Sequence, residues 1–158
     1  MAELAVGDKA PDFELLDDGG KPVRLSDFRG QPVVLFFYPE DDTPVCTVQA
    51  CSFRDEFSDF EELDAIVLGV SPDSVESHRA FKRKFKLPFQ LLSDPGNVVA
   101  TKYGSYGTKL MYGKEVQGTI RSSLVIDQKG RIAALSRNVR SQGNGARMVE
   151  ALKALASP

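Results

Sequence analysis

Cys46 and Cys51 are the two cysteines of this 158-residue chain, and His78 is its one histidine. That inventory limits the chemistry. A lone disulfide closing so short a loop adds little to a domain with a core of its own, so the pair does not read as a structural staple. Tetrahedral zinc takes about four ligands, and two cysteines with one histidine fall short, so no metal is expected. What remains is thiol or redox chemistry in a reducing compartment, or two small buried residues with no chemical task. The context of Cys46 favours chemistry. Thr43-Pro44 offers a hydroxyl N-cap followed by proline at the first helical position, where its missing N–H costs nothing. Cys46 then falls third in a helix, among unpaired N–H groups at the positive end of the dipole, which favours the nucleophilic thiolate. Attack on an O–O bond also needs donors for the charge developing on the departing oxygen, and Thr43 and backbone N–H groups are the candidates.

Cys51 follows five residues after Cys46. In an unbroken α-helix that spacing holds the two Cα atoms about 8.7 Å apart. A disulfide allows under about 7 Å. If the two cysteines pair, the first turns of the helix must unwind, and oxidation is coupled to local unfolding.

The elements that must position these residues follow from periodicity and turn chemistry. Phe13-Glu14-Leu15-Leu16 and Val23-Arg24-Leu25 flank a turn-rich 17–22 stretch and predict a hairpin. Residues 33–38 are continuously apolar, as a central strand covered on both faces requires, and Pro39 ends them. Phe53, Phe57, Phe60 and Leu63 recur at helical spacing on the helix after Thr43. A second buried strand is expected over 65–70, then an acidic start to another helix at Ser71-Pro72-Asp73. On that helix Phe81 and Phe85 form an apolar stripe beneath Arg79, Lys82, Arg83, Lys84 and Lys86, so the cations read as a solvated face and His78 as a surface histidine. A short strand at 89–92, a short helix over 97–103, a hairpin of 119–127 with 131–135, and an amphipathic helix over 146–156 complete the reading. Gly104-Ser105-Tyr106-Gly107 and Gly143-Asn144-Gly145 match no phosphate or dinucleotide motif and are assigned to loops. The order describes a single α/β domain over 1–158 with a thioredoxin-like arrangement: a central mixed sheet flanked by helices on both faces, with an N-terminal β-hairpin.

Composition sets the outer limits. With 42% apolar and 27% charged residues, a chain of this size buries roughly 70% of its unfolded surface, which excludes disorder. Twenty Lys+Arg against twenty-two Asp+Glu give a net charge of −2, so no basic field favours nucleic acid or anionic lipid. No apolar run approaches the roughly 20 residues of a membrane helix. The N-terminal residues carry no secretory pattern, so the expected compartment is the cytosol.

The segment Phe37-Tyr38-Pro39-Glu40-Asp41-Asp42-Thr43-Pro44-Val45-Cys46-Thr47-Val48-Gln49-Ala50-Cys51 resembles the active-site segment of the peroxiredoxins, in their peroxiredoxin Q or bacterioferritin comigratory protein branch. The family's Pro-x-x-x-Thr-x-x-Cys pattern falls on Pro39, Thr43 and Cys46, and the branch's second cysteine on Cys51. The likeness runs from Gly7-Asp8-Lys9-Ala10-Pro11-Asp12-Phe13 to Arg121-Ser122-Ser123-Leu124-Val125-Ile126-Asp127, with Arg121 on the family's active-site arginine.

The resemblance implies a peroxidase that reduces hydrogen peroxide and organic hydroperoxides without metal, haem or flavin. Cys46 would be the peroxidatic cysteine, and Cys51 the resolving one. The two would close an intramolecular disulfide, which thioredoxin or a similar dithiol protein then reduces. Thr43 would position the peroxide, Arg121 would stabilise thiolate and peroxide with its fork of donors, and Pro39 would shield the site from water. Such a bond needs no second subunit, so a monomer is expected. Val45 stands where the family commonly has glycine, Gln49 where many relatives have glutamate, and Leu124 where phenylalanine is frequent. Gln49 reads as a hydrogen-bonding variant. Two other readings stay open: a general thiol-disulfide oxidoreductase, disfavoured by the absence of Cys-x-x-Cys, and a redox-sensing or holdase-like binding module exposed when the helix unwinds.

Overall fold

The computed structural model describes residues 4–156. The N-terminal hairpin forms from β1 (Glu14–Asp17) and β2 (Pro22–Arg24). Asp17 closes it, since its Oδ1 accepts from the backbone N–H groups of Gly19 and Lys21, both at 2.9 Å. After a 3-10 turn at Leu25–Phe28, the apolar run becomes β3 (Val33–Phe37), every residue of which is buried. The chain then forms α1 (Pro44–Asp55), α2 (Phe57–Glu62), β4 (Ile66–Ser71), α3 (Val75–Phe85), β5 (Gln90–Ser93) and α4 (Val98–Lys102). It finishes with β6 (Tyr106–Met111), β7 (Lys114–Thr119), β8 (Ser122–Ile126), β9 (Ile132–Arg137) and α5 (Asn144–Ala156).

Seven strands make one mixed sheet in the order β2-β1-β5-β4-β3-β8-β9, with β3 parallel to β4 and antiparallel to β8. This is the thioredoxin-like arrangement that the element order predicts. Alternation along β3 divides the interior into two layers. Val34 and Phe36 pack with Cys46, Ala50 and Phe53 of α1, Phe81 of α3, and Met148, Val149 and Leu152 of α5. Val33, Leu35 and Phe37 face the opposite layer, which is closed by Val99 and Ala100 of α4 together with Ala10, Phe13 and Leu25. At about 1.5–3 kcal/mol for each large apolar side chain removed from water, this central strand is a main source of stability. Opposite Phe36, position 69 has to be glycine: a Cβ there would lie 2.7 Å from the Phe36 ring.

Several local expectations need correction. Phe53 and Phe60 share a buried face, but on two helices rather than one, because the backbone breaks at Glu56 (φ −103, ψ 11). The 104–107 stretch is not wholly loop, since Tyr106 and Gly107 begin β6, which pairs with β7 in a separate two-stranded sheet. Thr119 ends β7, and the strand expected to start there starts at Ser122. Asn144 and Gly145 likewise leave the expected loop and open α5. Among the described residues no helix is long and apolar enough to cross a membrane.

Candidate active site

Where β3 ends, Tyr38 keeps its backbone N–H on Val70 O at 3.1 Å, and the chain then turns through Pro39, Glu40, Asp41 and Asp42 into α1. Asp42 takes a left-handed conformation (φ 55) to make that turn. Thr43 is the N-cap by backbone geometry, and Pro44 occupies the first turn, as the sequence predicts. The Thr43 side chain does not cap the helix: its hydroxyl donates to Glu40 O at 3.0 Å, folding the loop back on itself. The N-cap side chain therefore leaves the first-turn N–H groups of α1 without a cap bond.

Cys46 is buried at 1% exposure and belongs to the apolar layer beneath α1. Arg121, at the start of β8, reaches it across the fold. Its Nη1 lies 3.3 Å from Cys46 Sγ and 2.8 Å from Gln49 Oε1. The Arg121 backbone is held by Val139, whose N–H donates to Arg121 O at 3.0 Å. The Arg121 guanidinium thus lies against the sulfur of a cysteine in the first turn of α1. Cys51 lies farther along the same continuous α1, half-buried and unbonded to Cys46. Burial pushes its thiol above the ordinary range, with Arg54 opposing and Asp55 reinforcing the shift. The two cysteines thus sit in different surroundings, Cys46 against a guanidinium and Cys51 with its proton held more tightly.

The structure brings Cys46, Arg121 and Gln49 together, places Thr43 at the helix start, and leaves Pro39 half-buried at the end of β3. Beside them lies an open cleft of about 460 Å³ lined by Pro44, Val45, Val48, Arg121, Val139 and Arg140 among others. Val45 and Val48 are 55% and 46% exposed there, so the wall they form is apolar.

His78 is not a surface residue. It is fully buried, with Nδ1 2.7 Å from Asp41 Oδ2 and Nε2 3.0 Å from Leu92 O. The other Asp41 oxygen accepts from the Tyr38 hydroxyl at 2.6 Å, Ser77 Oγ donates to Asp41 Oδ2 at 2.8 Å, and the Asp41 N–H donates to Asp73 Oδ2 at 2.6 Å. Burial first, and then the Asp41 carboxylate, hold the Tyr38 phenol well above its ordinary range, so it remains a donor. This buried network ties the 39–43 loop to α3, supplemented at the surface by Lys84 Nζ to Asp42 Oδ2 at 2.9 Å. His78 stands three residues before Phe81 and seven before Phe85, on the face of their stripe, so helical spacing was the signal for its burial; its partner, Asp41, is remote in sequence and no spacing pointed to it. Asn144 and Ser123, which continue the chain of bonds beyond Gln49, were missed for the same reason.

A buried cysteine at a helix start, with an arginine on its sulfur and a thioredoxin-like sheet beneath, is an arrangement suited to thiol redox chemistry. Residues 6–135 match the AhpC/TSA family. Peroxiredoxin Bcp of Bacillus subtilis is 45% identical over 150 residues, covering 95% of this chain and 96% of that protein. The chloroplastic peroxiredoxin Q of Sedum lineare is 45% identical over 140 residues, covering 87% of this chain and 72% of that one. A structure of the Xanthomonas campestris bacterioferritin comigratory protein, described for its alkyl peroxide reduction activity, superposes with a TM-score of 0.89 at 33% identity, covering 99% of this chain and 100% of that one. The chain belongs to the AhpC/TSA family, among the Bcp and peroxiredoxin Q peroxidases.

Proposed function

We propose that this peroxiredoxin reduces hydrogen peroxide and alkyl hydroperoxides through Cys46, with Cys51 as the resolving cysteine. The observation that carries the reading is the Arg121 Nη1 contact with Cys46 Sγ at 3.3 Å. The Cys46 thiolate attacks the terminal peroxide oxygen. An S–O bond forms, the O–O bond breaks, and the departing alkoxide or hydroxide takes up a proton as alcohol or water. Cys46 is left as a sulfenic acid. Charge grows on the departing oxygen during this step, and Arg121 with the first-turn N–H groups are the donors available to meet it. Thr43 positions the peroxide, and Pro39 limits the access of water.

Cys51 then attacks the Cys46 sulfenic sulfur. An S–S bond forms, the S–OH bond breaks, and the hydroxide leaves as water with the Cys51 proton. A dithiol protein such as thioredoxin reduces the disulfide by exchange, becoming oxidised itself. Because α1 is continuous from Pro44 to Asp55, the two Cα atoms stand about 8.7 Å apart by helix geometry, so closure requires the helix to unwind between them. Both cysteines lie on one helix, so a monomer suffices, and a reducing compartment such as the cytosol resets the pair. The apolar cleft beside Val45 and Val48 suits an alkyl hydroperoxide.

The reading is tested by mixing reduced protein with one equivalent of hydrogen peroxide and following thiols and intact mass. The unaltered chain is expected to lose both thiols and two hydrogens. Cys51→Ser is expected to stop at an oxidised Cys46, and Cys46→Ser to stay inert. An unaltered chain that keeps both thiols for minutes would overturn it, and insulin reduction without any peroxide would point to general disulfide exchange instead.

A further inference from the structure

Asn144, the first residue of α5, is fully buried, and the reaction proposed above assigns it no part. Both ends of its amide are engaged. Nδ2 donates to Ser123 Oγ on β8 at 2.9 Å, and Oδ1 accepts from Gln49 Nε2 on α1 at 3.0 Å. Gln49 and Ser123 are also at 0% exposure, so water does not substitute for either partner. The other end of Gln49 meets Arg121, whose Nη1 in turn touches Cys46 Sγ.

Polarity fixes this chain. A guanidinium has donors and no acceptor, so Gln49 must turn its oxygen toward Arg121 and its NH2 the opposite way. That NH2 then requires an oxygen, and Asn144 Oδ1 supplies it. A reversed Gln49 amide would set N–H groups against N–H groups, leave Arg121 without its anchor and release it from the sulfur. Asn144 thus selects the orientation of Gln49 that holds the guanidinium on Cys46.

The same junction fastens α5 to α1. Gly145 N–H donates to Ser52 Oγ at 2.9 Å, and Ser52 Oγ donates to Gln49 O at 2.7 Å. The approach is so close that a Cβ on Gly145 would lie 2.2 Å from Ser52 O. Gln49 lies between the two cysteines, in the part of α1 that must open for them to meet, and Ser52 follows Cys51 directly. Opening α1 pulls Gln49 off Asn144 and disengages Arg121 in one event.

We propose that Asn144 is a positioning residue with opposed effects on the two half-reactions: it speeds attack by Cys46 through Gln49 and Arg121, and it slows disulfide closure by holding α1 wound. This rests on the two-cysteine reading given above. The loss of one buried, polarity-matched contact is on the order of tenfold in rate when it is expressed in the transition state.

The test separates the steps by rapid-quench alkylation and mass, with attack measured in a Cys51→Ser background and closure in the two-cysteine chain. Asn144→Leu keeps the branched heavy-atom skeleton, with two somewhat bulkier methyls, and removes both amide functions. It is expected to slow attack about tenfold and to speed closure several-fold. Asn144→Asp keeps an oxygen toward Gln49 Nε2, and the Ser123 hydroxyl can donate to its second oxygen, so attack is expected to recover most of the loss. Ser123→Ala, which frees Asn144 to turn without altering α5, is expected to move attack in the same direction and decides the matter should Asn144→Leu not fold. A merely structural Asn144 would leave attack untouched in a folded variant, or slow both steps together, and either result overturns the proposal. A chain inert to peroxide before any substitution overturns the peroxidase reading itself, which is a different result from a reactive chain whose attack rate ignores Asn144.

Discussion

Arg121→Met removes the guanidinium from Cys46 Sγ while keeping most of the aliphatic stem. At 3.3 Å, two unit charges interact by about 5 kcal/mol at an effective dielectric of about 20. Arg121 is half-buried rather than enclosed, and solvent screens much of that energy. A hydrogen bond to a charged group, about 1.5–3 kcal/mol, is the better measure. Expressed fully in the transition state, it slows attack by about 10- to 150-fold. A second consequence follows from Gln49, whose fully buried Oε1 accepts from the same Nη1 at 2.8 Å. Left without a donor it costs about 1–3 kcal/mol of stability, or roughly 2–4 °C in Tm for each of those kcal/mol in a chain of this size. The assay is the second-order rate of Cys46 oxidation by hydrogen peroxide in a Cys51→Ser background, followed by rapid-quench alkylation, with thermal unfolding alongside. Arg121→Lys should fall between the two, because an ammonium is a point charge and does not reproduce the fork. A folded Arg121→Met variant that reacts within about threefold of the unaltered chain would refute the reasoning, since it would remove more than half of the smallest effect derived above.

Three further outcomes follow from the structure. Because burial raises the Cys51 thiol, iodoacetamide should label Cys51 at neutral pH more slowly in the folded chain than in urea, and the rate should climb as pH rises. The folded state holds that proton more tightly than the unfolded state, so this group lowers stability as pH rises past the ordinary thiol range; equal labelling in both states would contradict the placement. His78→Leu removes the ring nitrogen that meets the buried Asp41 carboxylate, which should cost about 1–3 kcal/mol in urea unfolding, with no measurable loss indicating that the network is slack. Asp17 is held below the ordinary carboxylate range: burial acts against this, but the Lys21 N–H, the Gln90 amide and the Gly19 N–H outweigh it. Its contribution is present above the unfolded-state value and lost as pH falls through the folded one. The Tm deficit of Asp17→Asn should therefore shrink on acidification, and a deficit constant with pH would show that the charge has no part in it.

Legibility followed burial and local turn chemistry. β3 and β4 could be read because strands covered on both faces need continuous apolar runs, and β1 and β2 because Asp17 and the glycines after it have the turn conformation built into their own chemistry. The β6–β7 hairpin escaped because both strands are largely exposed and their alternating half-buried positions hold Gly107, Lys109, Val116 and Gly118 rather than a row of apolar residues. Its turn, Tyr112-Gly113, has positive φ at both residues (53 and 79), and that short glycine turn was the available signal. The start of α5 escaped because two glycines around Asn144 look like a loop until the backbone of α1 is seen to lie against Gly145.

The sequence alone determined the candidate element: Thr43, Pro44 and Cys46 are neighbours, and a helix start acts on the residues within its own first turn. It determined also that Cys51, five places on, could not reach Cys46 without unwinding, because helix geometry is local. What only tertiary structure decided is everything that meets Cys46 from a distance in the chain. Arg121 stands directly before β8, Asn144 opens α5, and His78 closes on Asp41 from α3. Those partners are brought within hydrogen-bonding distance by the packing of helices on the sheet. A polar group in a buried place must find its partner wherever the fold supplies one, and spacing along the chain does not encode that choice.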